Sequence, residues 1–172
     1  MEIELERTFL AKYIPVGLEK CEFKEILDIY IPENSLHPTL RIRKRGEIFE
    51  ITKKEVINGA DLSEQNEHTI SLTRDEFDEL AKIQGKRLHK NRFFYPHENR
   101  MAEVDIYLDD LAGLVVVDFE FNSREKMESF TMPDFCLVEV TQDEMIAGGT
   151  FAGKNYAEVE NTLQKYNYKK VV

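Results

Sequence analysis

Acidic and basic side chains recur at every second position in this sequence, and they segregate by segment. Glu2, Glu4 and Glu6 alternate with Ile3 and Leu5 in "MEIELERTFL". Arg41, Arg43 and Arg45 flank Ile42 and Lys44; Lys90 and Arg92 repeat the spacing; Glu103 with Asp105, and Asp118 with Glu120, do so with acids. In an extended chain residues i and i+2 share a face, so each set lines one side of a strand. Carboxylate oxygens are hard ligands suited to Mg²⁺ or Mn²⁺, while Arg and Lys hold phosphate oxygens. Acid rows facing base rows on a curled sheet would suit a metal-bound polyanion. The plainer alternative is a solvated sheet face, because antiparallel sheets commonly wet one side. Separation by sign weighs against it, since like charges side by side on a strand cost energy unless an opposite partner or ligand compensates them.

The elements that must carry these rows are mostly strands. Alternation, or β-branched and aromatic enrichment, predicts strands near 2–10, 24–31, 39–45, 48–54, 67–72, 87–95, 101–108, 114–122 and 136–141. "KRGEI" and "LDDLAG" supply turn residues, and "FYPHENR" is expected to turn another pair with Pro96 at a strand end. Helical patterns fall between strands: "TRDEFDELAKI" with Thr73 and Glu76 in capping-box spacing, "SREKMESF" behind Ser123, and "NYAEVENTLQKY". The pattern is α+β with a largely antiparallel sheet.

A chain of 172 residues, 42% hydrophobic and 33% charged, is expected to form one globular domain over 1–172. A net charge of −10 argues against nucleic acid or an anionic membrane as the main partner. No apolar run approaches the roughly 18 residues that a membrane span needs. Cys21 and Cys136 lack metal-ligand spacing, and with no visible signal peptide they read as free thiols of a cytoplasmic protein. The histidines (His37, His68, His89, His97) also lack metal spacing and read as surface residues. Apolar outer strand faces call for helices or a second subunit as cover, so a homodimer is compatible with the pattern.

The ordered set of segments resembles the CYTH superfamily, the triphosphate tunnel metalloenzymes. "ELERTFL" is similar to the family's opening E-x-E-x-K strand, and "RIRKRGEIFEITKK" to its R-x-R strand, hairpin and lysine-bearing return strand. "HKNRFFY" resembles its K-x-R strand, "AEVDIYLDDLAGLVVVDFEF" its acidic hairpin, and "FCLVEVTQDE" its late E-V-T segment. The resemblance implies an eight-stranded antiparallel β-barrel forming a tunnel, with helices packed outside. It implies Mg²⁺ or Mn²⁺ as cofactor and a small-molecule triphosphate as partner. Carried over by position, Arg41, Arg43, Lys54, Lys90 and Arg92 would hold phosphates. Glu4, Glu6, Glu103, Asp105, Asp118 and Glu120 would hold metal, with Glu120, Asp118 and Tyr30 as catalytic candidates. Thr8 stands where the family carries lysine, and its hydroxyl cannot replace the charge. Metal-dependent triphosphate hydrolysis is the first expectation. A class IV-type adenylate cyclase is the alternative, and a non-catalytic polyphosphate or nucleotide binder the third.

Overall fold

A computed structural model describes residues 2–57 and 61–171; the side chain of Glu2 lies outside that description. Nine strands form one antiparallel sheet: β1 (Glu2–Ala11), β2 (Phe23–Ile31), β3 (Leu40–Arg45), β4 (Ile48–Val56), β5 (Glu64–Leu72), β6 (Lys86–His97), β7 (Arg100–Tyr107), β8 (Val115–Phe121) and β9 (Cys136–Glu139). The order β5-β4-β3-β2-β6-β7-β8-β1 closes on itself because β1 also pairs with β5, which makes an eight-stranded barrel. β1 shares its two edges among three partners. Leu5 to Leu10 pair with β8, residues 2–5 with β5, and Phe9 to Ala11 with the additional strand β9.

Each strand expected from alternation is present within a few residues, and the hairpins turn where glycine or a polar pair permits. Gly46 adopts φ 59° between β3 and β4, a conformation open to a residue without Cβ. Glu98, at φ 52°, turns β6 into β7 just beyond exposed Pro96. α1 (Arg74–Leu80) starts from the expected capping box: Thr73 accepts from the Glu76 N–H, and the Glu76 carboxylate accepts from the Thr73 N–H. Its buried Phe77 lies 5.2 Å from Phe49 and covers the outer face of β3 and β4 with Ile29 and Ile42. α2 (Arg124–Glu128) begins at Ser123, whose hydroxyl accepts from the Lys126 N–H. α3 (Gly148–Phe151) and α4 (Tyr156–Gln164) follow, α4 burying Tyr156, Val159 and Leu163.

The apolar core therefore lies mainly outside the ring, between strands and helices. On the β1–β8 side it contains Phe9, Val117, Phe119 and Met127, with Phe9 and Phe119 edge-to-face at 6.0 Å. At one end apolar residues also enter the ring. Inward positions change from Glu4, Glu6 and Thr8 to Leu10 on β1, and from Glu120 and Asp118 to Val116 on β8. Leu10, Val116 and Tyr107 are buried there against Ile146 and Phe151. None of the described helices is long and apolar enough to cross a membrane.

Candidate active site

The remaining inward faces enclose a cavity of about 340 Å³ whose walls carry both signs of charge. From β1 come Glu4, Glu6 and Thr8; from β3 Arg41, Arg43 and Arg45; from β4 Glu50, Thr52 and Lys54; and from β5 Glu67 and Thr69. β6 adds Lys90 and Arg92, β7 Glu103, and β8 Asp118 and Glu120. The two-residue repeat produces this arrangement directly. Ile42 and Phe119 occupy the alternate positions and are buried on the outer face, which fixes their neighbours inward.

The acids divide by depth. Oxygens of Glu4, Glu6 and Glu120 all lie within 4.8 Å of one another. Burial, with Glu6 and Glu67 nearby, raises the Glu4 carboxyl above its ordinary value against the pull of Lys54. Partial burial and the charges of Glu103, Glu4 and Glu6 push Glu120 up to about 7. Three oxygen donors under mutual repulsion fit a hard divalent cation, which would relieve that repulsion.

Glu103, Asp105 and Asp118 stand apart from this cluster and converge on Arg92 instead. Arg92 donates from Nε and Nη2 to the two oxygens of Asp105, each at 2.7 Å, and also to Glu103; its Nη2 lies 3.3 Å from Asp118. Asp105 takes a further bond from Lys90, has no exposed surface and does not line the cavity. Burial opposes its ionisation, but Arg92 and Lys90 prevail and hold its carboxyl at about 2. Asp118 behaves oppositely. Burial, with Glu6 and Asp105 nearby, raises its carboxyl well above the usual range, and its buried Oδ1 has no partner among the described residues.

The bases also differ in their pairing. Lys54 donates to Glu4 and lies 3.5 Å from Glu67. Arg43 is spent in part on a residue absent from the sequence expectations. Buried Asp28 of β2, its cross-strand neighbour, accepts from Arg43 Nε at 2.6 Å and Nη2 at 2.8 Å. Arg41 lies 6.0 Å from the Tyr30 ring centre, and its buried Nε has no hydrogen-bond partner among the described residues. Tyr30 lines the cavity on the side of residues 147–150, away from the acid cluster: a Cβ on Gly148 would sit 2.8 Å from its hydroxyl, and one on Gly149 3.3 Å from its ring.

One expectation requires revision. His37, read as a surface residue, lines the cavity. The Thr150 hydroxyl donates to the Glu144 carbonyl at 2.7 Å, so His37 Nδ1, 2.6 Å from the same oxygen, is the donor of that pair. Arg45 lines the cavity with Arg41 and Arg43 and meets Glu50 at 3.2 Å. Glu139 binds Arg7 on the outer face. Arg7 lies outside as strand parity requires, over the Phe9 and Phe130 rings. Thr8 faces inward opposite Asp118, its hydroxyl 3.3 Å from Glu6.

Comparison with known proteins supports a relationship along nearly the whole chain. No family model matches the sequence. An inorganic triphosphatase of Nitrosomonas europaea is 28% identical over 144 residues, 82% of this chain and 91% of that protein. A crystal structure of an inorganic triphosphatase superposes with a TM-score of 0.64 at 23% identity, covering 90% of this chain and 97% of the other. A candidate adenylate cyclase from Bacillus halodurans shares the fold at a TM-score of 0.56 and 17% identity, over 99% and 93% of the two chains. The closed eight-stranded ring with inward rows of both signs is thus a fold shared with these structures, and the sequence is similar to that of an inorganic triphosphatase over 82% of the chain.

Proposed function

We propose that this chain hydrolyses a phosphoanhydride bond of a triphosphate with the help of Mg²⁺ or Mn²⁺. One observation carries the reading: the cavity sets Arg41, Arg43, Lys54, Lys90 and Arg92 around a three-carboxylate cluster of Glu4, Glu6 and Glu120. Guanidinium and ammonium groups suit phosphate oxygens, and clustered carboxylates suit a divalent ion. The relation to an inorganic triphosphatase makes inorganic triphosphate the first substrate to try.

In this reading Glu4, Glu6 and Glu120 hold the metal. A divalent ion bound there neutralises phosphate charge and lowers the pKa of a coordinated water. Arg41, with no carboxylate partner among the described residues, offers the least committed guanidinium to the substrate. Arg92 and Lys90 are held in place from behind by Asp105, which thus serves the bases and not the metal. Asp118, whose carboxyl burial raises well above the usual range, is the candidate proton donor to a departing phosphate oxygen. Tyr30 forms the wall beside Arg41.

The test is phosphate release from tripolyphosphate, ATP and thiamine triphosphate with each metal. Release above a Glu4→Gln/Glu6→Gln control is expected with at least one substrate. Release at the control level with all of them refutes hydrolysis, and cyclic AMP formed from ATP would replace it with the cyclase reaction.

A further inference from the structure

We propose that Asp28, which has no access to the cavity, is a positioning residue for the triphosphate site and acts through Arg43. The inference rests on the triphosphate reading of the cavity. Asp28 sits mid-strand in the apolar run "EILDIYI", is 0% exposed and is absent from the cavity wall, whereas Arg43 opposite it lines that wall. A carboxylate so placed is costly to bury unless its partner is well oriented. Here the partner is bidentate, with Arg43 Nε and Nη2 both donating to Asp28.

This pairing determines what Arg43 can offer. A guanidinium has a rigid planar fork, so fixing the Nε–Nη2 edge on Asp28 leaves Nη1 as the free nitrogen and fixes its direction. Arg41 and Lys90 also act on Asp28 through their charges. One buried anion thus lies amid three cations of the wall, where it reduces their mutual repulsion and aims the middle one. Removing its charge has two opposite effects. The wall becomes more positive toward a polyanion, while Arg43 loses its fixed orientation. Ground-state binding is therefore kept or strengthened, and turnover, which depends on alignment, falls.

The experiment compares the parent, Asp28→Asn, Arg43→Met and the double variant. It reads tripolyphosphate affinity by calorimetry in metal-free buffer, the Arg43 Nε–H signal by NMR, and kcat with Mn²⁺. Asp28→Asn is expected to broaden or shift the Nε–H signal, to weaken binding by no more than threefold, and to lower kcat by roughly tenfold or more. In the Arg43→Met background the same substitution is expected to change kcat by less than about twofold, because residues acting as one unit are not additive. Binding weakened beyond threefold, an unmoved Nε–H signal, or an equal kcat loss in both backgrounds overturns the proposal. Should Asp28→Asn fail to fold, Arg43→Lys keeps the charge without the fork, and the same split between binding and kcat is required of it. A parent that binds tripolyphosphate without hydrolysing it refutes the hydrolase reading alone; the Nε–H signal and the affinity then decide the role of Asp28.

Discussion

Asp105→Asn separates the electrostatic part of the site's framework from its shape. Asp105 is fully buried and accepts three bonds, one from Lys90 and two from Arg92. Its carboxyl ordinarily titrates at 3.8 and is held at about 2 in the folded chain. At about 1.36 kcal/mol per pH unit, that gap corresponds to ~2 kcal/mol of stability at pH 7. The sign follows from the depressed folded value: the contribution is full well above 3.8 and is lost as pH falls through about 2. At pH 3 roughly half remains, ~1 kcal/mol by the same linkage. Asparagine preserves the shape and one acceptor but leaves two buried cations short of an anion, so a deficit of ~2–4 kcal/mol is expected at pH 7. For a chain of this size that lowers Tm by on the order of 5–15 °C. Urea unfolding of parent and variant at pH 7 and pH 3 checks both parts, with the deficit shrinking by ~1 kcal/mol at the lower pH. A deficit below ~1 kcal/mol at pH 7, or one unchanged at pH 3, would refute the electrostatic account.

Other consequences follow from the same geometry. Glu120→Gln should weaken Mn²⁺ binding by roughly tenfold or more in electron paramagnetic resonance titrations, by replacing one of three anionic oxygen donors with a neutral one. In the parent, Mn²⁺ affinity should decline as pH drops below about 7, where Glu120 takes up its proton, and level off above it; a flat profile from pH 5.5 to 8 contradicts that. Asp118→Asn, at a carboxyl whose ionisation burial disfavours, should alter stability at pH 7 by less than ~1 kcal/mol in chemical denaturation, in contrast to Asp105→Asn. Arg41→Met should raise the KM for tripolyphosphate by roughly tenfold or more with a smaller change in kcat, because Arg41 has no carboxylate partner among the described residues that its loss would strand.

Much of the architecture could be read from local sequence, because one strand face of each segment is apolar and parity then decides the other. The same rule placed Arg7 outside and Glu4, Glu6, Arg41 and Arg43 inside. The Thr73–Glu76 capping box and the stripe around Phe77 made α1 equally plain. Depth was not legible. Glu103-x-Asp105 and Asp118-x-Glu120 look alike in sequence, yet Asp105 lies beneath the bases and Glu120 faces the cavity, because strand register sets each position along the barrel. Asp28 was hidden for the same reason: a lone acid in "EILDIYI" has meaning only once β3 places Arg43 opposite it. His37 belongs to a connection, where no periodicity reports direction, and its Thr150 partner lies 113 residues away.

The ring has a seam, and two of the three clustered carboxylates sit on it. β1 carries Glu4 and Glu6, but its neighbours β5 and β8 arrive about sixty and about a hundred and ten residues later in the chain. During synthesis the first strand must wait for β5 on one edge and, longer still, for β8 on the other. Such distant closure is characteristic of slow-folding β topologies. Ion affinity at the seam therefore reports barrel closure itself, and a Mn²⁺ signal appearing during refolding would time the last step of assembly.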